Sequence, residues 1–152
     1  MEGNSKLMLS LGLAISLSFF ALVAAKSARA DDEIKMVEHA DTDAVTDTGA
    51  AGDSAGDILT FANDVYDADD KDKIGTDQGV CFRTAVGKAW ECFWTLTLDK
   101  GQITVEGPFY DAGDSVLSIT GGTGDYKDVK GEMALSAIGT DGKKYSFTYR
   151  LE

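Results

Sequence analysis

The stretch GVCFRTAVGKAWECFWTLTL, residues 79–98, decides the fold class of this chain. In its second half, one face carries large apolar side chains at every other position, and the other face is mainly polar. This is the pattern of a β-strand with one buried side. The apolar face comprises Trp90, Cys92, Trp94, Leu96 and Leu98. Val86-Gly87 separates this run from residues 79–85 and predicts the tip of a β-hairpin.

Two cysteines lie on either side of that tip. Pairing about Val86-Gly87 sets Cys81 opposite Cys92 on the neighbouring strand. Opposed cysteines on adjacent strands are close enough to form a disulfide if the local register suits the bond. We therefore expect a structural disulfide rather than a reactive thiol at these positions.

The chain after residue 56 has the same character throughout. Short β-prone stretches alternate with turn residues, and the apolar side chains do not follow the period of a helix. Seven candidate strands follow residue 56, at residues 57–66, 79–85, 89–98, 102–110, 115–120, 128–139 and 143–151, and one precedes it, at residues 33–40. Eight such strands joined by short turns close naturally into a barrel that can hold one small ligand. The sequence thus predicts an all-β, eight-stranded antiparallel up-and-down β-barrel.

The N-terminus has the features of an export signal. Lys6 precedes a long apolar run that ends in Ser27-Ala28-Arg29-Ala30, where the small residues at 28 and 30 fit a signal-peptidase site. A retained membrane anchor is the alternative, because the run is nearly long enough to span a bilayer. We expect cleavage after Ala30 and a secreted or periplasmic protein. The expected organisation is a signal peptide (1–30), an acidic segment with the first strand (31–56) and a barrel (57–152).

The chain is strongly acidic, with a formal net charge of −12. This charge repels nucleic acid and anionic membranes, so we expect neither as a partner once the signal is removed. His39 is the only histidine, which argues against a histidine metal site or a Ser-His-Asp triad. The acidic run Asp67–Asp72 lacks the Gly and Glu that an EF-hand requires. We predict no metal, no cofactor, and an apolar or amphipathic small molecule as the partner.

Three glycines lie close together in ITGGTGDY, residues 119–126. A phosphate-binding loop would need a helix directly after it to supply free amides, but the residues that follow are strand-like. The other interpretation is a corner between two strands, where glycine permits a positive φ. We expect a corner that lets the sheet turn and close.

Several of these motifs together resemble the allene oxide cyclase family of lipocalin-like eight-stranded barrels. They are GDILTFANDVY at 56–66, GVC at 79–81, ITVEGPFY at 103–110, DSVLSITGGTGDY at 114–126 and YSFTYRL at 145–151. The resemblance extends from Asp57 to Leu151, in order and with close spacing. The glycine turn is also similar to that of dirigent proteins, which share the barrel. The resemblance implies a ligand cavity inside the barrel and, as in the plant members, a possible homotrimer.

The resemblance also implies roles for individual residues. Leu59, Phe61 and Asn63 match a pocket-lining strand, in which Asn63 would hold a water or an epoxide. Glu38 matches the catalytic glutamate, which influences developing positive charge. Further matches to the substrate-binding wall are Cys81, Trp90, Trp94 and Phe109. The alternative for the apolar matches is an ordinary barrel core, and for Asn63 the satisfaction of a buried backbone group. The alternative for Glu38 is a solvated position in a flexible segment.

The family's water-binding Ser-Pro pair is replaced here by Thr46-Asp47, and its partner asparagine by Ala40. Arg83 shares the face of Cys81, so inside a barrel it either binds an anionic ligand group or forms half of a buried ion pair. The leading hypothesis is an isomerase or cyclase that steers ring closure of a fatty-acid-derived or polyketide-like molecule. The alternative is a non-catalytic, dirigent-like binding protein. The missing Ser-Pro pair favours the alternative, whereas Asn63 with Glu38 favours the enzyme.

Overall fold

The computed structural model describes residues 32–152. These described residues fold into nine strands and one short 3₁₀ turn, Gly124–Tyr126. The strands are β1 (Asp32–His39), β2 (Ala44–Thr46), β3 (Ile58–Asp67), β4 (Lys73–Ala85), β5 (Ala89–Leu98), β6 (Gly101–Tyr110), β7 (Ser115–Gly122), β8 (Gly131–Ile138) and β9 (Lys144–Leu151). The predicted signal segment, residues 1–30, lies outside the described residues. Within them, we find no helix of the length and apolar character needed to cross a bilayer.

Eight of the nine strands close into an antiparallel barrel. From β3 to β9 each strand pairs with the next, and β1 pairs with both β9 and β3. The β1–β9 pairing extends over the whole of both strands. The β1–β3 pairing is short, joining Met36–His39 to Asp64–Asp67, and we call it the seam of the barrel. The predicted eight-stranded antiparallel barrel is therefore confirmed.

The strands differ most from those expected in two places. The short strand β2 lies in the predicted acidic segment and pairs with the first residues of β3. Strand β4 begins at Lys73 rather than at residue 79. Residues 73–78 are mostly polar or glycine, which weakens a strand signal, yet they pair with β3 and β5. Pairing with two neighbours thus overrides their weak local preference.

The barrel interior is filled by every second side chain of the strands. On β5 the predicted apolar face is the inward one, and Trp90, Cys92, Trp94 and Leu96 are all buried. Most fully buried side chains on the other strands share this inward direction: Met36, Val65, Ile103, Val105, Leu117, Met133, Phe147 and Tyr149. Burial of this apolar surface is the main stabilising contribution to such a fold.

The β4–β5 hairpin has the predicted register around its cysteines. Cys81 pairs with Cys92, and the two form a disulfide. The register shifts only near the tip, where Ala85 pairs with Ala89. Both cysteines are buried, so the disulfide is part of the interior wall of the barrel and offers no free thiol.

Loss of this disulfide is expected to destabilise the barrel. In the chain-entropy model, a cross-link that closes a loop of this length contributes about 2–3 kcal/mol. The double variant Cys81→Ala/Cys92→Ala should therefore unfold at lower guanidinium concentration, as measured by tryptophan fluorescence. Dithiothreitol should lower the midpoint of the wild type but not that of the double variant. An unchanged wild-type midpoint in reductant would contradict the expectation.

The glycine-rich segment forms the expected corner between β7 and β8. Strand β7 ends at Gly122, and a single 3₁₀ turn separates it from β8. Gly124 has a φ of 62°, and a Cβ there would collide with the backbone carbonyl of Lys100. Glycine is required at this position because no L side chain fits that close approach. The segment does not open a long helix, so it lacks the geometry of a phosphate loop.

Candidate functional site

A cavity lies inside the barrel, toward the end at which β6 finishes and β9 begins. It encloses about 340 Å³ of empty space, counting its open mouth, and its interior is narrow, with room for only a few water molecules. Its lining is apolar and aromatic apart from two carboxylates. The lining residues are Glu38, Asp43, Leu59, Phe61, Cys81, Cys92, Trp94, Phe109, Leu135, Tyr145 and Phe147. A ligand larger than a few waters must move some of these side chains.

Many of the residues predicted for the site line this cavity. Leu59 and Phe61 point inward from β3, and Cys81 with its disulfide partner forms the wall on β4 and β5. Trp94 and Phe109 complete the aromatic wall from β5 and β6. The structure brings these positions together because each is an inward-facing residue of adjacent strands.

Trp94 is held in place from three sides. Its ring contacts Phe61 edge-to-face at 5.9 Å between centroids and stacks on Phe147 at the same distance. Its indole Nε1 donates to the Tyr149 hydroxyl at 3.3 Å. Such contacts fix the rotamer of a large aromatic side chain. Trp94 therefore presents a rigid ring face to the cavity.

Two acidic side chains are buried together at the inner end of the cavity. Glu38 projects from β1 and Asp77 from β4, and both are almost completely buried. Burial raises the pKa of Glu38 to about 7, although the hydrogen bond from Asn63 opposes this shift. Burial and the adjacent Glu38 carboxylate raise the pKa of Asp77 still further. The pair therefore retains a proton near neutral pH, as two carboxyl groups at one site commonly do.

Asn63 connects this pair to the segment after β1. Its Nδ2 donates to Glu38 Oε1 at 2.7 Å and to Asp43 Oδ1 at 2.8 Å. Its Oδ1 accepts from the Thr42 amide at 3.0 Å and from the Thr42 hydroxyl at 2.9 Å. Both donors and both acceptor positions of the amide are thus in use. In this arrangement Asn63 orients Glu38, and it has no free group for a water or a ligand.

Arg83 and Trp90 lie outside the cavity. The Arg83 guanidinium binds Asp111 through Nη1 at 2.6 and 2.8 Å, and its Nε lies 2.6 Å from Asp53. It also sits 4.1 Å above the centre of the Trp90 ring, in cation–π geometry. Of the two roles expected for Arg83, the structure shows the ion pair. This cluster ties the loop before β3 and the β6–β7 loop to the β4–β5 hairpin.

Five residues of the site were not predicted from the sequence: Asp43, Asp77, Leu135, Tyr145 and Phe147. Asp77 shares the inward direction of Cys81 on β4, and extending that strand toward its N-terminus would have identified it. Tyr145 shares the inward face of Phe147 on β9, which is a usable signal. Asp43 lies in an irregular connection, and no local pattern indicates that it reaches the cavity. Within residues 32–152, no group of three or more His, Cys, Asp or Glu side chains is placed to hold a metal ion.

Asp77→Asn is expected to stabilise the protein at alkaline pH. The folded state raises the pKa of Asp77 from its ordinary value of 3.8 to about 9. Between these two pH values the folded state therefore binds more protons than the unfolded state. Stability therefore falls as the pH rises through this interval. Removing the carboxyl should raise the free energy of unfolding at pH 8 by about 1–3 kcal/mol and change it little at pH 4.

Urea denaturation of the wild type and the variant from pH 4 to pH 9 measures this difference. Asp114→Asn, at an exposed position, is the matched control and should leave the pH profile unchanged. A parallel shift of the Asp77→Asn curve at all pH values would contradict the assigned cause.

Comparison with known proteins places the chain in a family. The sequence matches the model of the allene oxide cyclase family over residues 32–152. A solved pyocyanin demethylase is 30% identical, with a TM-score of 0.69, and the match covers 80% of this chain and 100% of that one. Two further structures share the fold at lower identity. The exo-specific intermolecular Diels-Alderase AbnU is 15% identical (TM-score 0.64; 79% of this chain and 98% of that one).

The pterocarpan synthase dirigent protein PsPTS1 is 12% identical, with a TM-score of 0.63, and the match covers 79% of this chain and 92% of that one. The family match spans all of the described barrel, including β1 with Glu38. The eight-stranded barrel, its interior cavity and the sequence match lead to one conclusion. This chain belongs to the allene oxide cyclase family.

Proposed function

We propose that this protein is an isomerase-type enzyme that moves a proton within an apolar, conjugated small molecule bound in the barrel cavity. The observation that carries the proposal is the buried carboxyl pair, Glu38 and Asp77, beside an aromatic wall. A carboxyl group with a pKa near 7 is well matched to proton transfer at neutral pH. Pairs of titratable groups in unlike environments commonly divide acid and base roles.

The two carboxyl groups have different positions and hence different roles. Glu38 lines the cavity and is the group that touches the ligand. In its ionised form it accepts a proton from one atom of the ligand, and it then returns the proton to another atom. Asp77 is behind Glu38 and does not line the cavity, so it acts through Glu38 by sharing the proton of the pair. The ligand is rearranged without net gain or loss of atoms or electrons.

The chemistry of the cavity walls suits a flat, apolar substrate once side chains have moved to admit it. The rings of Phe61, Trp94, Phe109 and Tyr145 offer faces and edges for stacking on a conjugated system. Holding such a molecule in one orientation also favours a single stereochemical course, which is a proximity effect. The pyocyanin demethylase relative makes pyocyanin, an N-methylated phenazine, the first substrate to test. A fatty-acid-derived allene oxide, or a polyketide-like molecule that closes a ring, is the second class.

The test uses the purified protein with each substrate in turn. Pyocyanin is incubated in the dark; absorbance follows its conversion, and mass spectrometry tests whether the product is an isomer with unchanged mass. An allene oxide is generated in situ, and the enantiomeric ratio of the cyclopentenone is measured. Leu135→Trp fills the cavity and should abolish any turnover. Val116→Trp, at an exposed position of the neighbouring strand, is the matched control and should retain it.

The outcomes separate the enzyme from its rival. Conversion of either substrate to an isomer, a product of unchanged mass, supports the proposal if it is lost in Leu135→Trp and kept in Val116→Trp. Unchanged pyocyanin together with a racemic cyclopentenone contradicts it. If the cavity nevertheless binds an apolar dye, the dirigent-like binding protein becomes the better description.

We also propose that the protein is exported and cleaved after Ala30. The apolar N-terminal run supports this, and so does the disulfide, because such bonds persist mainly in oxidising compartments. N-terminal sequencing of the protein secreted by its natural host tests the proposal. A mature chain that still begins at Met1 would contradict it.

A further inference from the structure

We propose that the cavity selects ligands whose inner end is cationic or carries an N–H donor, and that it excludes ligands with an anionic head. This inference rests on the proposed function, since it concerns the same cavity, and it adds the charge class of the substrate. It also restricts the substrate classes proposed above, because the cavity would reject a fatty-acid-derived ligand whose carboxylate is directed at the inner end.

The charges that face the cavity are all acidic. Glu38 and Asp43 line it directly, and Asp77 lies next to Glu38. Among the described lining residues there is no Lys, Arg or His. An anionic ligand group at the inner end would therefore be repelled by carboxylates in a poorly solvated site, where like-charge repulsion is strong.

Three cationic side chains near this end of the barrel are bound elsewhere. Arg83 is paired with Asp111 and Asp53 outside the cavity. Lys144 binds Asp70, and His39 binds the other oxygen of the same carboxylate. Neither these three side chains nor the described lining residues therefore supply a positive charge to compensate an incoming carboxylate.

Asp77 provides a further reason for a donor or cation at this end. Its relative exposure is 0%, and within the described residues the only side-chain partner of its carboxyl is Glu38, another acid, with which it shares a proton. Burial of two adjacent acidic groups without a cation costs free energy. A donor or cation on the ligand that binds Glu38 would draw the shared proton toward Asp77, or stabilise the ionised pair, and so relieve this cost.

The aromatic walls favour the same class of ligand. Trp94 contacts Phe61, Phe109 contacts Tyr145, and all four rings line the cavity. Ring faces attract cations through their quadrupoles, and the attraction increases when water is excluded. The combination of carboxylates at the inner end and rings along the walls is suited to a nitrogen-containing aromatic cation.

Three phenazines that share one ring system test this selection. They are the cation 5-methylphenazinium, neutral phenazine and the anion phenazine-1-carboxylate. Binding to the purified protein is measured by equilibrium dialysis in the dark at pH 7.5. We expect the cation to bind at least about tenfold more tightly than the anion, with the neutral ring between them. Glu38→Gln and Asp77→Asn should each reduce this ratio.

Two controls separate contact with the site from the overall negative charge of the protein. Glu106→Gln removes an exposed carboxylate on the outer face of β6 and should leave the ratio unchanged. Raising the salt to 0.5 M screens long-range attraction, so a preference that depends on the site should persist.

Each outcome decides the inference. Equal or tighter binding of the anion overturns it, as does a preference that is lost in high salt or unaffected by both site variants. Failure of all three phenazines to bind also overturns it. Because this is a binding experiment, selection for the cation without turnover would leave the inference standing while the proposed enzyme failed. Turnover accompanied by tighter binding of the anion would support the proposed enzyme and overturn the charge selection.

Discussion

Glu38→Gln is expected to lower kcat/KM for whichever substrate the protein converts by about 10²–10⁴-fold, the usual contribution of a general acid–base group. The amide keeps the size of the side chain and can still accept the hydrogen bond from Asn63 Nδ2, so the fold should be retained. It cannot take up and release a proton, which is the step assigned to Glu38. Initial rates of substrate loss across a concentration series provide the measurement.

Glu106→Gln again serves as the matched control, because it makes the same chemical change at an exposed position. The neutral ligand phenazine should bind Glu38→Gln with a dissociation constant close to that of the wild type, which separates binding from chemistry. A Glu38→Gln protein that retains more than a tenth of the activity would rule out proton transfer by this residue.

The second large effect is expected at Asn63, where Asn63→Ala should lower the free energy of unfolding by about 2–4 kcal/mol. The variant loses all four hydrogen bonds of the amide, and it leaves the buried Glu38 carboxyl without its donor. A buried polar group that loses its partner bears the full cost of desolvation. Denaturation in guanidinium at pH 7 gives the difference from the wild type.

Asn63→Asp distinguishes the orienting role of the amide from simple space-filling. This variant keeps the shape but places another acidic group between Glu38 and Asp43, so it should be least stable at high pH and recover as the pH falls.

The hydrogen bond from Asn63 lowers the pKa of Glu38, so the rise of kcat/KM with pH should move to higher pH in Asn63→Ala. Gln102→Ala, at an exposed amide, should change stability by less than about 0.5 kcal/mol.

The barrel could be predicted from the sequence because the patterns that specify its strands and turns are local and repeated. Strict alternation on β5, the turn at Val86-Gly87 and the opposed cysteines each specify a strand pair, and all three agree with the structure. The register of a hairpin follows from its turn, so the disulfide could be predicted without any knowledge of the rest of the fold.

The candidate site was predictable only in part, because a barrel interior is shared between core and cavity. Alternation shows that Trp90 and Trp94 face inward, but not how far along the barrel axis each lies. Trp94 contacts the cavity, whereas Trp90 packs under Arg83 outside it. The carboxyl pair depends on β1 closing the barrel so that Glu38 approaches Asp77, and no local pattern reports a contact between strands so distant in sequence.

At the seam, one short segment of β1 both closes the barrel and positions Glu38. Met36–His39 supplies the last hydrogen bonds that complete the cylinder and also Glu38, one of the two carboxylates that line the cavity. A substitution that weakens this edge is therefore expected to displace the carboxylate to which we assign proton transfer, even when it lies far from any bound molecule. At this position, a change in the β1–β3 pairing also changes the position of Glu38, so barrel closure and the proposed chemistry depend on the same residues.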